Sequence, residues 1–324
     1  MYAIQVSGDE LVWRDSEDAG SPGPGEVLIS VRAPAINRAD LVQRQGGYPP
    51  PPGASPILGL ECAGEVAQVG EGVSRVQVGD AVCALLAGGG YAERVCVPAG
   101  QVLPIPDGLS FSEAAALPEV FATAYLNLYM EGGLNPGERV VLHAGASGVG
   151  TAAIQLLKST GNPLFVTAGS GEKIARCVAL GADAGHDRHE GSFVKTVTEW
   201  CGEGGVDVVL DPVGAAYLQD NLSVLGLNGR LVLIGLMGGT SGELNLAAVM
   251  MKRLRIVGST LRARPIGEKA LVMDALKERV WPEIEAGRIR PIIEAEFPIQ
   301  QAAEAHELMA SNESFGKIVL NLPA

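Results

Sequence analysis

A glycine-rich turn carries the clearest chemical signal in this chain of 324 residues. Gly145, Ser147 and Gly150 occupy the three key positions of a G-x-G-x-x-G pattern, with serine in place of the middle glycine. The apolar run RVVLHA precedes the turn and a helical pattern follows it. Amide groups and the dipole at the start of such a helix attract phosphate. We therefore predict that a dinucleotide's pyrophosphate binds here, at Gly145, Ala146, Ser147, Gly148, Val149 and Gly150.

Each small residue of the turn has an expected role. Gly145 is expected to adopt a backbone conformation closed to other residues. Gly148 and Gly150 are expected to let the helix start close to the sheet and to the ligand. Ser147 narrows that approach slightly but offers a hydroxyl to an oxyanion. The alternative is a purely structural turn, and the flanking strand and helix favour dinucleotide binding instead.

The end of the second strand predicts which dinucleotide is bound. The run LFVTAGSGEK ends its strand with Gly169 and Ser170, where NAD sites usually carry Asp or Glu for the ribose hydroxyls. Lys173 follows closely, and Arg188 comes after the third strand. An uncharged strand end with nearby cations suits a 2′-phosphate, so NADPH is preferred over NADH. The alternative for both cations is solvated surface charge.

The sequence pattern divides the chain into two predicted domains. Apolar strands alternate with helices over residues 120–259, which predicts a doubly wound parallel sheet of the Rossmann type. Short Val-rich runs punctuated by Gly and Pro over residues 1–119 indicate an antiparallel β-barrel. The tail, residues 260–324, holds two amphipathic helices and a strand, and we expect it to return to the first domain. The fold class is thus α/β.

Composition excludes several classes of protein. The net charge of −13 argues against nucleic acid or an anionic membrane as the main partner. No apolar run is long enough to span a bilayer, and the first residues lack a secretory pattern, so a cytoplasmic location is expected. The five cysteines form no C-x-x-C pair and the four histidines show no metal-binding spacing. We therefore predict neither a disulfide framework nor a structural metal site.

Several stretches together resemble one enzyme family over nearly the whole chain. They are AINRADLVQRQGGYPPPPGAS, ILGLECAGEV, VGDAVCALLAGGGYAERV, AAALPEVFATAY, HAGASGVGTAAIQL, GLMGG and FGKIVL. In these stretches the chain resembles the zinc-independent quinone oxidoreductases of the medium-chain dehydrogenase/reductase superfamily. It is most similar to the branch that contains the tumour-suppressor-inducible quinone oxidoreductase of animals. The resemblance implies a GroES-like catalytic domain, built from both ends of the chain, and a Rossmann domain.

Differences from the zinc-dependent alcohol dehydrogenases of that superfamily concern the metal. Where those enzymes have Cys and His ligands, this chain has Asn37 and Leu60, and their cysteine-rich lobe has no counterpart. Glu61 alone cannot hold a catalytic zinc. Without a Lewis acid, alcohol oxidation lacks the group that stabilises the alkoxide. Quinones need no such group, because they already accept hydride or electrons readily.

The resemblance also implies site residues. Tyr48, in the Pro-rich loop, corresponds to a tyrosine beside the nicotinamide and the substrate, where its phenol could donate a hydrogen bond to a quinone oxygen. Asn37 lies at the pocket floor and could orient a carbonyl or the ribose. The remaining cofactor contacts implied are Thr123, Gly235, Leu236, Met237, Leu261 and Lys317, with Gly235–Met237 at the end of the fifth Rossmann strand. Packing of its own loop is the alternative for Tyr48, and core packing is the alternative for the aliphatic residues.

Three functional hypotheses follow. The first is an NADPH-dependent quinone oxidoreductase that transfers hydride or electrons in the cleft between the domains. The second is an NADPH-dependent enoyl or enone reductase, in which Tyr48 is the acid or only a hydrogen-bond donor. The third is a cofactor-binding protein without a catalytic role. A homodimer is expected from the resemblance, with the sixth strand, Leu254–Leu261, as the place where two sheets meet.

Overall fold

A computed structural model describes residues 1–8 and 10–323 of the chain. The β-strands are β1 (Tyr2–Ser7), β2 (Glu10–Asp15), β3 (Glu26–Pro34), β4 (Glu61–Val69), β5 (Ala81–Leu85), β6 (Arg94–Pro98), β7 (Val102–Pro104), β8 (Val140–Leu142), β9 (Leu164–Ala168), β10 (Ala184–Asp187), β11 (Val206–Asp211), β12 (Leu225–Leu233), β13 (Arg255–Gly258), β14 (Ile293–Pro298) and β15 (Lys317–Asn321).

The α-helices complete the architecture. They are α1 (Arg38–Arg44), α2 (Phe111–Ala115), α3 (Pro118–Tyr125), α4 (Gly148–Thr160), α5 (Gly171–Leu180), α6 (Val194–Cys201), α7 (Leu218–Val224), α8 (Leu246–Lys252), α9 (Ile266–Arg279), α10 (Trp281–Glu285) and α11 (Ala302–Ser311). A π-helix, Leu126–Glu131, follows α3, and 3-10 turns cover Ala99–Gln101, Arg188–Glu190, Ala215–Tyr217 and Ile299–Gln301. Among these helices in the described ranges, none has both the length and the apolar character needed to cross a membrane.

The chain divides into two compact units, residues 1–122 with 261–324 and residues 123–260. The second unit contains six parallel strands in the order β10-β9-β8-β11-β12-β13. Every residue of β8 and β9 is buried, as expected for parallel strands covered on both faces. β8, the first strand of this unit, lies at the centre of the sheet, between β9 and β11. The strand order reverses there, and ligands bind at such points in parallel sheets. The predicted doubly wound parallel sheet is confirmed.

The first unit is built around an antiparallel sheet with the strand order β6-β3-β4-β5-β7. Alternate Val and Ile side chains of β3 and β4 fill one core cluster. A second cluster joins Ile4 and Ile36 to Ile299 and Ile318. Residues from both ends of the chain therefore share one core. Strand β15 runs beside the end of β3, since the Ile36 amide donates to the Ile318 carbonyl at 2.9 Å.

Several strands and helices of the structure were not predicted from the sequence. Strands β1, β2, β7 and β14 and the short helices α1 and α2 were not predicted, because their apolar patterns are too short to stand out. The fifth Rossmann strand, β12, both begins and ends earlier than predicted. It ends at Leu233, so Gly235, Leu236 and Met237 lie in the loop that follows it and not at the strand end itself. The Met237 amide donates to the Pro212 carbonyl at 3.2 Å, which ties this loop to the end of β11.

Candidate active site

The glycine-rich turn joins β8 to α4 in the second unit. Ser147 caps the helix, and its Oγ accepts a hydrogen bond from the Gly150 amide at 3.0 Å. Side-chain oxygens at this position satisfy one of the amides that a helix leaves without an internal partner. The first helical residues, Gly148 and Val149, follow directly, and their amides belong to the same set. The turn thus has the geometry of an anion site.

The glycines of the turn serve close packing. A Cβ on Gly150 would lie 2.4 Å from the Gly145 carbonyl oxygen, and a Cβ on Gly145 would lie 2.9 Å from Cβ of Val166. Neither position tolerates a side chain. The expectation that Gly145 needs a left-handed backbone is wrong: the residue with positive φ is Ala144, at 55°. Gly145 is required because strand β9 passes directly beside it.

The end of β9 brings a cation to the position predicted for the 2′-phosphate. Strands β9 and β10 pair with Ala168 opposite Asp187, so the next residues, Gly169 and Arg188, are also neighbours. The Arg188 guanidinium lies 3.5 Å from where a Cβ on Gly169 would stand. Ser170 caps α5, and its Oγ accepts from the Lys173 amide at 3.2 Å. An exposed arginine, a capping hydroxyl and helix amides therefore converge at this strand end.

Two other polar residues of the second unit are Thr123, which was predicted to contact the cofactor, and His143. Thr123 is partly buried, and its carbonyl accepts from Nδ2 of Asn127 at 2.8 Å. His143 is buried, and both ring nitrogens have protein partners: they lie 2.9 Å from Oγ1 of Thr167 and 2.7 Å from Oδ1 of Asn221. Burial lowers the pKa of His143 to about 4, so it is neutral at physiological pH.

The first unit contains a buried charge cluster, which consists of Asp40, Glu61, Arg262, Lys317 and the partly buried Glu119. Its centre is the ion pair between Nζ of Lys317 and Oε1 of Glu61, at 2.6 Å, with both side chains almost completely buried. Lys317 also donates to the Ile36 carbonyl at 2.6 Å. Such a pair is tolerated only when further hydrogen bonds satisfy the remaining polar atoms. Here they do.

Asn37 connects the two members of this ion pair. Its Oδ1 accepts from Nζ of Lys317 at 2.8 Å, and its Nδ2 donates to Oε1 of Glu61 at 2.9 Å. Lys317 thereby uses all three of its N–H donors inside the first unit. In the structure these donors hold Asn37, Glu61 and the Ile36 carbonyl, and the direct contact of Lys317 with the cofactor stays a prediction. Leu261, another predicted cofactor contact, is buried.

The other carboxyl groups of the cluster are held differently. Asp40 accepts from the amides of Asn37 and Gly59, at 2.8 and 3.0 Å, and from the Tyr91 hydroxyl at 3.2 Å. Desolvation nevertheless raises the pKa of Asp40 to about 6. Glu119 is tied by its backbone, since its amide donates to Oε2 of Glu61 at 2.8 Å. Desolvation, and then the charge of Glu61, raise the pKa of Glu119 to about 8.

Tyr48 lies next to this cluster, half-buried in its loop. The Arg262 guanidinium carbon is 5.0 Å from the centre of the Tyr48 ring. Desolvation and then the Glu119 carboxyl raise the pKa of the Tyr48 phenol, while Arg262 opposes that rise. Sequence reasoning named Tyr48, Asn37 and Lys317 as site residues, which stay predictions, and it did not name Arg262, Glu119 or Asp40. The buried charges of Arg262 and Asp40 carry no periodic sequence signal that could have identified them.

Comparisons with known proteins place this architecture in a family. Residues 23–107 match the alcohol dehydrogenase GroES-like domain, and residues 148–278 match the family described as zinc-binding dehydrogenase. The quinone oxidoreductase of Rattus norvegicus is 31% identical over 328 residues, which cover 99% of this chain and 98% of that protein. The chain therefore belongs to the medium-chain dehydrogenase/reductase superfamily, a family of oxidoreductases. The predicted combination of a GroES-like domain and a Rossmann domain is confirmed.

A second relative is much longer than this chain. A phenolphthiocerol/phthiocerol polyketide synthase of Mycobacterium tuberculosis is 32% identical over 308 residues. The match covers 94% of this chain but only 14% of that protein. The chain thus corresponds to one portion of a large polyketide synthase as well as to a relative of its own length.

Solved structures of the same fold differ in their described activities. An NAD-dependent alcohol dehydrogenase superposes with a TM-score of 0.87 at 32% identity and full coverage of both chains. The Escherichia coli quinone oxidoreductase complexed with NADPH has a TM-score of 0.86 at 28% identity, with 99% and 98% coverage. The CurK enoyl reductase has a TM-score of 0.85 at 29% identity, with 99% of both chains covered. Fold alone therefore does not select the substrate.

Proposed function

We propose that this protein is an NADPH-dependent quinone oxidoreductase that works without zinc. The observation that carries the proposal is the ion pair of Lys317 with Glu61. In the zinc-dependent relatives the corresponding region supplies metal ligands. Here the Asn37 amide donates a hydrogen bond to the Glu61 carboxylate, and the Lys317 ammonium forms an ion pair with it. A cation already neutralises Glu61, so the electrostatic reason to bind Zn²⁺ there is removed. A substrate that needs no Lewis acid suits such a site.

The residues of the second unit fit NADPH. The glycines at 145 and 150 let the turn pack closely against β9 and start α4 there, and the first amides of that helix would bind a pyrophosphate. Arg188 beside Gly169, with Ser170 and Lys173, would hold the 2′-phosphate. No carboxylate stands at the end of β9 to prefer the free ribose hydroxyls of NADH. When bound, this cofactor supplies a hydride.

Tyr48 is the residue we assign to the substrate. Its phenol would donate a hydrogen bond to the oxygen of a quinone as negative charge develops there. Arg262, against the ring, favours that donation. The Asn37 amide is already engaged with Glu61 and Lys317, so its role is to shape the site and not to transfer a proton.

The main alternative is reduction of an enone or enoyl substrate with the same cofactor. The position of Tyr48 beside a cation favours this candidate specifically, because Arg262 opposes the rise in the Tyr48 pKa that burial and Glu119 cause, and so helps the phenol to protonate the carbon next to the carbonyl. The two reactions differ in their demand for a proton. Tyr48→Phe should lower enone reduction about 100-fold and quinone reduction about tenfold or less.

The experiment that tests the function is nicotinamide oxidation with a panel of quinones and enones. NADPH and NADH are compared in parallel, on protein dialysed against a chelator and analysed for zinc by mass spectrometry. Quinone-dependent turnover that prefers NADPH and needs no metal supports the proposal. Turnover with enones alone selects the alternative, and tight NADPH binding with no turnover leaves only a binding role.

Cofactor preference has its own test in Arg188 and Lys173. Arg188→Ala and Lys173→Glu should each weaken NADPH binding about tenfold or more and leave NADH binding nearly unchanged, because they remove or reverse charge at the 2′-phosphate. Arg176→Ala, on the same helix as Lys173 and exposed, serves as the control. Equal weakening of both cofactors would show that Arg188 and Lys173 do not bind the 2′-phosphate.

We also propose a homodimer formed through β13, one of the two edge strands of the parallel sheet in the described ranges. Ile256 on this strand is 37% exposed, and Met250 and Met251 on the neighbouring helix α8 are 70% and 73% exposed. An apolar strand edge of this kind favours pairing with an identical copy. Light scattering at assay concentration should give twice the chain mass, and Ile256→Lys should return it to the monomer. The cytoplasmic location and the tumour-suppressor-inducible branch of the family stay predictions.

A further inference from the structure

Arg262 is a buried arginine whose three donor groups all bind different segments. The residue is 3% exposed. Nε donates to the Ala87 carbonyl at 2.8 Å, Nη1 to the Tyr48 carbonyl at 3.1 Å, and Nη2 to Oε1 of Gln43 at 2.7 Å. The guanidinium therefore joins α1, the loop that carries Tyr48, and the segment after β5.

These contacts fix the loop in a way that no other residue type reproduces. The planar guanidinium presents its donors in a fixed fork, whereas a lysine offers one point charge. The Pro-rich loop around Tyr48 contributes no helix or strand of its own. The Tyr48 backbone is held by the hydrogen bond to Arg262, next to the amides of Gly46 and Gly47, which donate to the Gln43 and Val42 carbonyls, both at 2.9 Å.

The same guanidinium also lies against the Tyr48 ring, with 5.0 Å between Cζ and the ring centre. At this distance a cation is attracted to the ring face. It also stabilises the negative charge that builds up on the phenol when its proton is shared. Glu119 is the other charged group that acts on Tyr48, and it acts in the opposite direction. Lys269, which donates to the Arg262 carbonyl at 3.2 Å, and Asp40 are the further charges near Arg262.

We propose that Arg262 is a positioning residue for Tyr48, which it orients through the loop carbonyl and activates as a hydrogen-bond donor through its charge. This inference rests on the proposed role of Tyr48. It extends that role, because it makes the acid strength of Tyr48 a property of a residue 214 positions away in the sequence.

The direct test is the ionisation of Tyr48 itself, which needs neither substrate nor cofactor. The chain has six tyrosines, so the Tyr48 signal is assigned by difference from Tyr48→Phe in protein labelled with ¹³C at tyrosine Cζ. Arg262→Gln should raise the pKa of Tyr48 because the stabilising cation is lost, whereas Arg262→Lys should leave it near the wild-type value. Arg264→Gln, which breaks a partly exposed ion pair with Glu268, should leave it unchanged. An unchanged pKa of Tyr48 in Arg262→Gln overturns the electrostatic part of the proposal.

A double-mutant cycle tests whether Arg262 acts through Tyr48. On the substrate class that the wild-type protein reduces, Arg262→Gln should lower kcat about tenfold and change the KM for NADPH little. In the Tyr48→Phe background the same substitution should have less than about a twofold effect, because the group it serves is gone. An equal loss in both backgrounds would mean that Arg262 supports the fold alone and would overturn the proposal.

Two controls keep the test decisive. If Arg262→Gln fails to fold, judged by circular dichroism, Arg262→Lys and Gln43→Leu replace it in the cycle. Gln43→Leu keeps the Arg262 charge but removes the acceptor of Nη2, together with the Gln43 donor to the Pro56 carbonyl. Both should lower kcat in the wild-type background and not in Tyr48→Phe. If the wild-type protein turns over no quinone or enone, the proposed function fails, while the Tyr48 titration still decides the effect of Arg262.

Discussion

The glycine-rich turn of the second unit and the buried charge cluster of the first unit are built in opposite ways. The turn is contiguous, since the residues from Gly145 to Gly150 form it. Strand β9 contributes only the packing contact of Val166 with Gly145. The cluster is assembled from residues that lie far apart, and Lys317 and Asn37 are separated by 280 positions. The turn is made mostly of backbone, whereas the cluster is made of charges. A contiguous backbone site tolerates loss of a side chain, while a buried charge network does not tolerate loss of one partner.

The largest expected effect is at the ion pair. Lys317→Met should lower the free energy of unfolding by about 3–5 kcal/mol, because it leaves the Glu61 carboxylate buried without a counter-charge. Urea denaturation followed by circular dichroism measures it. The double variant Glu61→Gln/Lys317→Met should recover part of the loss. Lys195→Met, in an exposed pair with Glu199, is the control and should change stability by less than about 0.5 kcal/mol. A Lys317→Met effect equally small would contradict the contrast between the regions.

In the glycine-rich turn, an added side chain should destabilise the protein through steric crowding. Gly150→Ala places a Cβ 2.4 Å from the Gly145 carbonyl oxygen, so the turn must move. We expect a loss of about 1–3 kcal/mol in unfolding free energy and a large loss of affinity for both NADPH and NADH. Gly267→Ala is the matched control, since its Cβ would meet no atom within 4 Å. It should leave stability unchanged or raise it by up to about 1 kcal/mol. Normal cofactor affinity in Gly150→Ala would show that the dinucleotide binds elsewhere.

The charge cluster should also make stability depend on pH. The pKa of Glu119 is raised from 4.5 to about 8, so the folded protein binds this proton more tightly than the unfolded chain. The resulting stabilisation is complete below the unfolded value and is lost as the pH rises through about 8. One such group changes stability by at most about 1.4 kcal/mol per pH unit. Asp40 acts in the same direction but only up to about pH 6.

Comparison with Glu119→Gln isolates Glu119 above pH 6, because His143 and His306, whose pKa values burial lowers to about 4, add the same opposite slope to both proteins as the unfolded imidazoles lose their protons. Between about pH 6 and about pH 8, the slope of the wild-type unfolding free energy with pH should therefore be more negative than that of Glu119→Gln, which carries no titrating proton. Urea titrations across that window give the two slopes. Parallel slopes would mean that the carboxyl of Glu119 is solvated like any surface glutamate.

The smallest expected effect is at the helix cap of the turn. Ser147→Ala removes the Oγ that accepts from the Gly150 amide, which should cost about 1 kcal/mol of stability and weaken NADPH and NADH equally. Ser110→Ala removes an equivalent cap from α2, where Oγ accepts from the Glu113 amide. It should cost a similar amount of stability without changing cofactor affinity. Unequal effects of Ser147→Ala on the two cofactors would place Ser147 near the 2′-phosphate instead.

Prediction from the sequence succeeded where its signals are local. The order of strands and helices in the second unit follows from apolar runs and their period, and the turn follows from glycine spacing. Even there, the predicted reason for glycine at position 145, an unusual backbone conformation, was wrong. The actual reason is the close approach of β9, which lies about 20 residues further along the chain. The short strands β1, β2 and β7 of the first unit were missed, since a few residues do not establish a period.

The sequence by itself determined the class of fold, the place of the glycine-rich turn between β8 and α4 and the absence of a carboxylate at the end of β9. Each of these depends on neighbouring residues, whose propensities act before any long-range contact forms. Only the tertiary structure decided that Lys317 neutralises Glu61, that Arg262 lies against Tyr48 and that Arg188 lies over Gly169. Those contacts arise from strand pairing and from the packing of both ends of the chain into one core, which bring distant residues together. A buried charge is stable only beside its partner, and the identity of that partner depends on distances in space that residue order does not contain.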